Sequence, residues 1–223
     1  MTIKIKPSGV IFDFDGVVVD SLAIHLAAWQ LSYKNFYGEA LVDTEGLPGR
    51  STMAIAEILA TRAGRPSTAL QLADMKREIL KSNQFSIKLL PGAREAFQRL
   101  LASGTPFGIA SNAPRSFIES TLATLGITVQ HIFGIDDVSN PKPAPDVFLK
   151  CARALQVSVL NHPQIIVFED SPHGLRAAVT AGMFPIGVLT QNNASDMFAV
   201  GARAVCKTVS EALDRGWLEC LPS

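Results

Sequence analysis

Five short apolar runs punctuate the chain, at residues 10–14, 106–110, 132–135, 165–168 and 184–189, each bounded by turn residues or charges. Runs this brief and this uniformly apolar predict strands buried on both faces, as in a parallel sheet. Between them, residues 93–102, 115–125, 146–155 and 174–181 interleave apolar positions with small or charged ones, which is the helical habit. Strand alternating with helix predicts the α/β class, a doubly wound Rossmann-like parallel sheet.

Residues 22–88 break that rhythm, showing three helical patterns and no convincing strand. Leu22, Leu26, Trp29, Tyr33 and Phe36 fall near one helix stripe behind Asp20-Ser21, residue types that suit an N-cap. A second helix is expected after Gly49-Arg50-Ser51, capped by Ser51 or Thr52, and a third over residues 69–81, stopping before Ser82-Asn83-Gln84. Leu90-Pro91-Gly92 then marks the return to the α/β rhythm. The expected organisation is a core of residues 1–17 and 89–223 with an inserted α-helical domain over 18–88.

Composition narrows the class further. With 223 residues, 48% hydrophobic and 18% charged, the chain can bury a sizeable core without disulfide staples. Twenty basic and twenty acidic residues cancel, which removes the electrostatic footprint of a nucleic-acid or acidic-membrane binder and favours a small polar substrate. Cys151, Cys206 and Cys220 are odd in number and widely spaced, as in a reducing compartment. The first residues hold no long apolar run, and no later segment is an uninterrupted apolar stretch of membrane length, so the expected location is cytoplasmic.

The chemistry concentrates where apolar runs end. Asp13 and Asp15 follow the first run at a spacing of two, which points both to the same side of a strand. Carboxylates that close repel, so either one keeps its proton or the pair binds a cation. An Asp-x-Asp-Gly also opens calcium loops, but Val17-Val18-Val19 follows here in place of further oxygen ligands. Two other runs end in Ser111-Asn112 and in Glu169-Asp170-Ser171, and Asn140-Pro141-Lys142-Pro143 lies between them. In an open α/β sheet, residues at the carboxyl ends of strands converge whatever their separation in sequence. Four carboxylates with a hydroxyl and a lysine suit Mg²⁺ and the oxygens of a phosphoryl group.

Four segments in order, Asp13-Phe14-Asp15-Gly16-Val17, Ser111-Asn112, Lys142-Pro143-Ala144-Pro145-Asp146 and Phe168-Glu169-Asp170-Ser171-Pro172-His173-Gly174, give the chain a strong resemblance to the haloacid dehalogenase superfamily. Within it, the chain resembles the small-sugar phosphatases and β-phosphoglucomutases that carry a helical cap. The resemblance implies Asp13 as nucleophile, forming an aspartyl-phosphate, and Asp15 as general acid/base. It implies Mg²⁺ held by Asp13, the backbone carbonyl of Asp15 and Asp170, with Glu169 in support. Phosphate binding falls to Ser111, Asn112 and Lys142. Asp15 is a carboxylate where the dehalogenases and phosphonate-cleaving members lack one, which disfavours carbon–halogen chemistry.

The function implied is a Mg²⁺-dependent phosphohydrolase of a small phosphorylated metabolite, a sugar or polyol phosphate, working as a monomer or weak dimer. A sugar phosphomutase of the β-phosphoglucomutase kind is the alternative. A binding protein without turnover would have lost Asp13, Asp15 or Asp170. In the cap, His25 and Arg50 are the substrate-side candidates: the resemblance makes His25 part of the coupling between cap and general acid, with Lys76 or Lys81 as its partner. Arg50 precedes a helix start that favours anions.

Overall fold

The computed structural model describes residues 6–47, 50–82 and 87–220. Its strands are β1 (Gly9–Phe12), β2 (Val19–Asp20), β3 (Lys88–Leu89), β4 (Phe107–Ala110), β5 (Ile132–Phe133), β6 (Ile165–Glu169), β7 (Phe184–Val188) and β8 (Ala204–Cys206). Six of them form one parallel sheet in the order β5-β4-β1-β6-β7-β8. From β1 the chain winds outward to β4 and β5, then returns to the other side of β1 with β6, β7 and β8. The strand order therefore reverses beside β1, and such a reversal opens a crevice at the carboxyl ends of the strands. Register makes this concrete: Phe12 is level with Ile109 of β4 and Phe168 of β6, so Asp13, Ser111 and Glu169 leave the sheet from neighbouring strand ends.

The strands are the apolar runs because both faces are covered. On one face Ile11 and Val167 pack with Val147, Phe148, Cys151 and Ala152 of α6 (Asp146–Ala154) and with Ala177 and Ala178 of α7 (Pro172–Thr180). Elsewhere in the core Phe12 stacks on Phe168 at 5.2 Å and meets Phe97 edge-on at 5.2 Å, while Phe97 stacks on Phe107 at 5.3 Å. Such ring pairs add about 0.5–1.5 kcal/mol each beyond the area they bury. Phe97 comes from α4 (Ala93–Ser103), and α5 (Arg115–Thr124) buries Ile118 and Leu122. Burial of the Cys151 thiol pushes its ionisation far up, so it behaves as a small apolar side chain.

The chain divides into two compact units, residues 1–20 with 88–223, and Ser21–Ile87. The second is built from α1 (Leu22–Tyr37), α2 (Thr52–Arg62) and α3 (Ala69–Ser82). Its core joins Trp29, Tyr33 and Tyr37 to Ile55, Leu59 and Leu72. Ser51 caps α2 by accepting the Ala54 N–H at 3.2 Å.

Four features differ from the sequence expectation. Leu22 and Leu26, placed in the α1 stripe, are 40% and 36% exposed, because the buried line runs through Ala28, Trp29, Ser32, Tyr33 and Tyr37 toward the end of the helix. Ser21 precedes α1 without a side-chain cap bond, its backbone being helical instead of extended. The 22–88 region was expected to hold no strand, yet Lys88 lies in β3, paired antiparallel with β2. Finally β8, α8 (Ala194–Ala199) and α9 (Val209–Asp214) complete the C-terminal part, where no element was predicted. No helix among the described residues is long and apolar enough to cross a membrane.

Candidate active site

Asp13 is the first residue beyond β1, fixed by donating its N–H to the Phe168 carbonyl at 2.9 Å. The chain then turns sharply, with the Val18 and Val19 N–H groups both donating to Phe14 O and the Gly16 N–H donating to Val19 O. Gly16 sits at φ 78°, and a Cβ there would fall 2.0 Å from Asp170 Oδ2, so both conformation and space demand glycine. This turn carries Asp15, which is half-buried.

Lys142 enters from the loop before α6 and places one ammonium between two carboxylates, 2.6 Å from Asp13 Oδ1 and 2.7 Å from Glu169 Oε2, over the Phe148 ring at 4.5 Å. Asn112, at the end of β4, holds the backbone that carries it: Oδ1 accepts the Lys142 N–H at 2.9 Å and Nδ2 donates to the Lys142 carbonyl at 3.3 Å. Both ends of the Asn112 amide are thus engaged with Lys142. Ser111 is buried and its Oγ accepts the Ala113 N–H at 3.2 Å, which leaves its own proton as a donor.

Glu169 ends β6 with its second oxygen also engaged, Oε1 accepting from the Ser171 N–H at 3.1 Å and the Ser171 hydroxyl at 2.8 Å. Ser171 in turn caps α7 by accepting the Gly174 N–H at 3.1 Å. The positive end of α7 therefore lies next to Glu169.

Carboxylate oxygens of Asp13, Glu169 and Asp170 lie within 4.8 Å of one another, all three residues buried. Burial pushes the Asp13 carboxyl up to about 7, with Glu169 and Asp15 adding repulsion and Lys142 opposing both. Asp170 is held well above the usual carboxylate range by burial, then by Glu169, Asp13 and Asp15. For Lys142 burial works against the charge, but Asp13 and Glu169 outweigh it and keep the ammonium protonated. One lysine does not balance four carboxylates, and that repulsion adds to burial in raising Asp13 and Asp170. A divalent cation with hard oxygen ligands fits such a donor set.

The α/β unit thus brings together Asp13, Lys142, Glu169 and Asp170, with Asp15 on the turn after β1 and Ser111 just beyond the neighbouring β4. His25 and Arg50 belong to the helical unit. There His25 Nδ1 lies 3.1 Å from Lys76 Nζ, which also reaches Thr52 Oγ1 at 3.4 Å and the Trp29 ring at 5.5 Å. An ammonium has only donors, so in this contact Nδ1 is the acceptor. Lys76 is 4% exposed, so it is not a solvated helix-face charge; the Lys81 side chain lies outside the described residues. Arg50 is exposed and donates from Nε to Gly46 O at 2.8 Å.

Three site residues escaped the sequence reading: Thr190, Gln191 and Asn192, which follow β7 and all contact Asp170. A signal existed, since they are a polar stretch at a strand's carboxyl end like the others.

Comparison with known proteins finds similarity over most of the chain. The haloacid dehalogenase-like hydrolase family matches residues 10–188. The chain is 30% identical to the validoxylamine A 7'-phosphate phosphatase of Streptomyces hygroscopicus subsp. limoneus, over 82% of this chain and 86% of that protein. It is 29% identical to the fructose-1-phosphate phosphatase of Escherichia coli, over 81% and 96% respectively. Among solved structures, the β-phosphoglucomutase of Clostridium difficile superposes with a TM-score of 0.75 at 25% identity, covering 92% of each chain.

Proposed function

The chain belongs to the haloacid dehalogenase-like hydrolase family, and from that membership we propose that it is a Mg²⁺-dependent phosphohydrolase of small phosphorylated metabolites, sugar or polyol phosphates foremost. The observation that carries the reading is Asp13, a buried carboxylate paired with Lys142 and crowded by Glu169 and Asp170.

In the first half-reaction a carboxylate oxygen of Asp13 attacks phosphorus, the bond to the leaving oxygen breaks, and Asp15 supplies the proton that makes it an alcohol. In the second, Asp15 takes a proton from water as that water attacks phosphorus, and the Asp13 carboxylate departs. Lys142 has three N–H donors, two of them engaged by Asp13 and Glu169, so the third is available to a transferring oxygen, as is the Ser111 hydroxyl. Asn112 acts by holding Lys142. Asp13, the Asp15 carbonyl and Asp170, supported by Glu169, would hold Mg²⁺, whose charge offsets the repulsion between a carboxylate and a phosphate dianion.

A second reading is favoured by the His25–Lys76 contact inside the helical unit. A phosphomutase must delay attack by water until a second hydroxyl arrives, and a histidine with a buried lysine partner is a polar handle of the kind such gating uses. The test of both is phosphate release from a panel of small phosphorylated metabolites, with and without Mg²⁺, using Asp13→Asn as the blank. Metal-dependent release absent from the blank supports the hydrolase. A sugar phosphate that changes position without releasing phosphate, followed by ³¹P NMR, supports the mutase. Full activity in Asp13→Asn overturns both.

A further inference from the structure

Three consecutive side chains beyond β7 close on a single residue. Gln191 Nε2 donates to Asp170 Oδ2 at 2.6 Å, and Asn192 Nδ2 donates to the Asp170 carbonyl at 2.8 Å. Thr190 Oγ1 lies 3.2 Å from Asp170 Oδ2 and 2.8 Å from Gly16 O. Its one proton faces two acceptors, and the shorter contact, to Gly16 O, is the stronger of the two. Gly16 is then tied at both ends, by its N–H to Val19 O at 2.8 Å and by its carbonyl to Thr190. The first bond orients the Asp15–Gly16 peptide, which carries the Asp15 carbonyl, and the second anchors the peptide that follows it, Gly16–Val17.

The same three-residue segment thus restrains one expected cation ligand directly, the Asp170 side chain, and anchors the turn that carries another, the Asp15 carbonyl, one peptide further on. Gln191 makes the shortest of these contacts, with its amide nitrogen toward Asp170, the orientation that suits the ionised carboxylate a cation requires. Its amide oxygen, Oε1, is buried and accepts no hydrogen bond.

We propose that Gln191, braced by Thr190 and Asn192, is a positioning residue of the divalent-cation site, holding the Asp170 carboxylate in the orientation that binds the ion. The proposal rests on the reading that this site takes such a cation. Residues that orient a metal's ligands, when removed, weaken affinity about 10- to 100-fold. Apolar replacement should therefore act on the ion first and on turnover only through it.

The experiment is a Mn²⁺ titration of the full chain followed by the electron paramagnetic resonance of the free ion, with substrate absent. Gln191→Ala and the nearly isosteric Gln191→Met are compared with the unmodified protein, and circular dichroism checks that both fold. The Mn²⁺ Kd is expected to rise about 10- to 100-fold in either folded variant. In parallel, the kcat lost at low Mg²⁺ should return at high Mg²⁺, which a general distortion of the fold would not allow. Thr190→Val should weaken binding in the same direction and Thr190→Ser restore it, so the inference stays testable if Gln191 variants fail to fold. A Kd within about twofold of the unmodified value in folded variants overturns the inference and leaves the cation reading intact. If the unmodified protein binds no Mn²⁺, the cation reading falls and the inference with it.

Discussion

Lys142 reaches Asp13 and Glu169 with the same ammonium, and its side chain is only 3% exposed. Removing it leaves two buried carboxylates without their cation, a loss of the kind that costs about 3–5 kcal/mol. Lys142→Met should abolish turnover and lower the melting temperature, and the pH dependence identifies the cause. Without Lys142 the folded-state acids hold protons more tightly than the unfolded chain does, so their cost is absent in acid and grows as pH rises. The melting-temperature loss should be larger at pH 8 than at pH 5 by differential scanning fluorimetry, and an equal loss at both would point to packing over Phe148 instead. Asp13, Glu169 and Asp170 were legible in the sequence because each lies at a strand end, and Lys142 because it falls between them in a recognisable order. The clasp of Asn112 on Lys142 and the hold of Gln191 on Asp170 were not, since each depends on two loops meeting from 30 and 21 residues apart. Lys76 could not be told from Lys81 for the same reason, its His25 contact spanning 51 residues.

At the level of elements, α7 positions the acidic end of β6. A Cβ at Gly174 would fall 1.9 Å from Glu169 Oε2, and Glu169 cannot swing aside because Lys142 and Ser171 hold both of its oxygens. Alanine ordinarily stabilises a helix relative to glycine by about 1 kcal/mol. Here the overlap should win: Gly174→Ala is expected to destabilise by about 1–3 kcal/mol, as overpacking does. It should also cut kcat/KM by about 100-fold, because displacements near 1 Å at a reacting centre have that effect. Denaturant unfolding and steady-state kinetics check the two numbers, and a gain in stability with normal activity would show that α7 yields. Strands β1, β4, β6 and β7 were legible because burial on both faces makes them uniformly apolar. β8 escaped because Ala204-Val205-Cys206 is a three-residue edge strand with two positions only partly buried. Helices α8 and α9 have six residues each, too few for a helical period to declare itself.

For the whole molecule, the site is a load that the rest of the α/β unit carries. Asp13 has its carboxyl raised from 3.8 to about 7, and Asp170 shifts in the same direction. Between pH 3.8 and about 7 the folded chain keeps a proton at Asp13 that the unfolded chain has lost, so stability falls as pH rises through that window. Above it Asp13 is ionised in the folded chain, at a cost set first by burial and then by repulsion from its acidic neighbours. Asp170→Asn removes one of the charges, and in chelator-treated protein it should raise the melting temperature at pH 8 while changing it less at pH 5. A divalent cation binds the ionised carboxylates and competes with protons, so its effect must run the opposite way. Mg²⁺ at 100 times its dissociation constant stabilises by about 2.7 kcal/mol. For a chain of this length that corresponds to roughly 5–10 °C. The shift should appear at pH 8, shrink at pH 5, where protons hold the ligands, and vanish in Asp170→Asn. Scanning calorimetry at the two pH values, with and without Mg²⁺, measures all four quantities. A Mg²⁺ shift independent of pH would mean that the ion binds elsewhere, and that the crowding at Asp13 and Asp170 is relieved by protons alone.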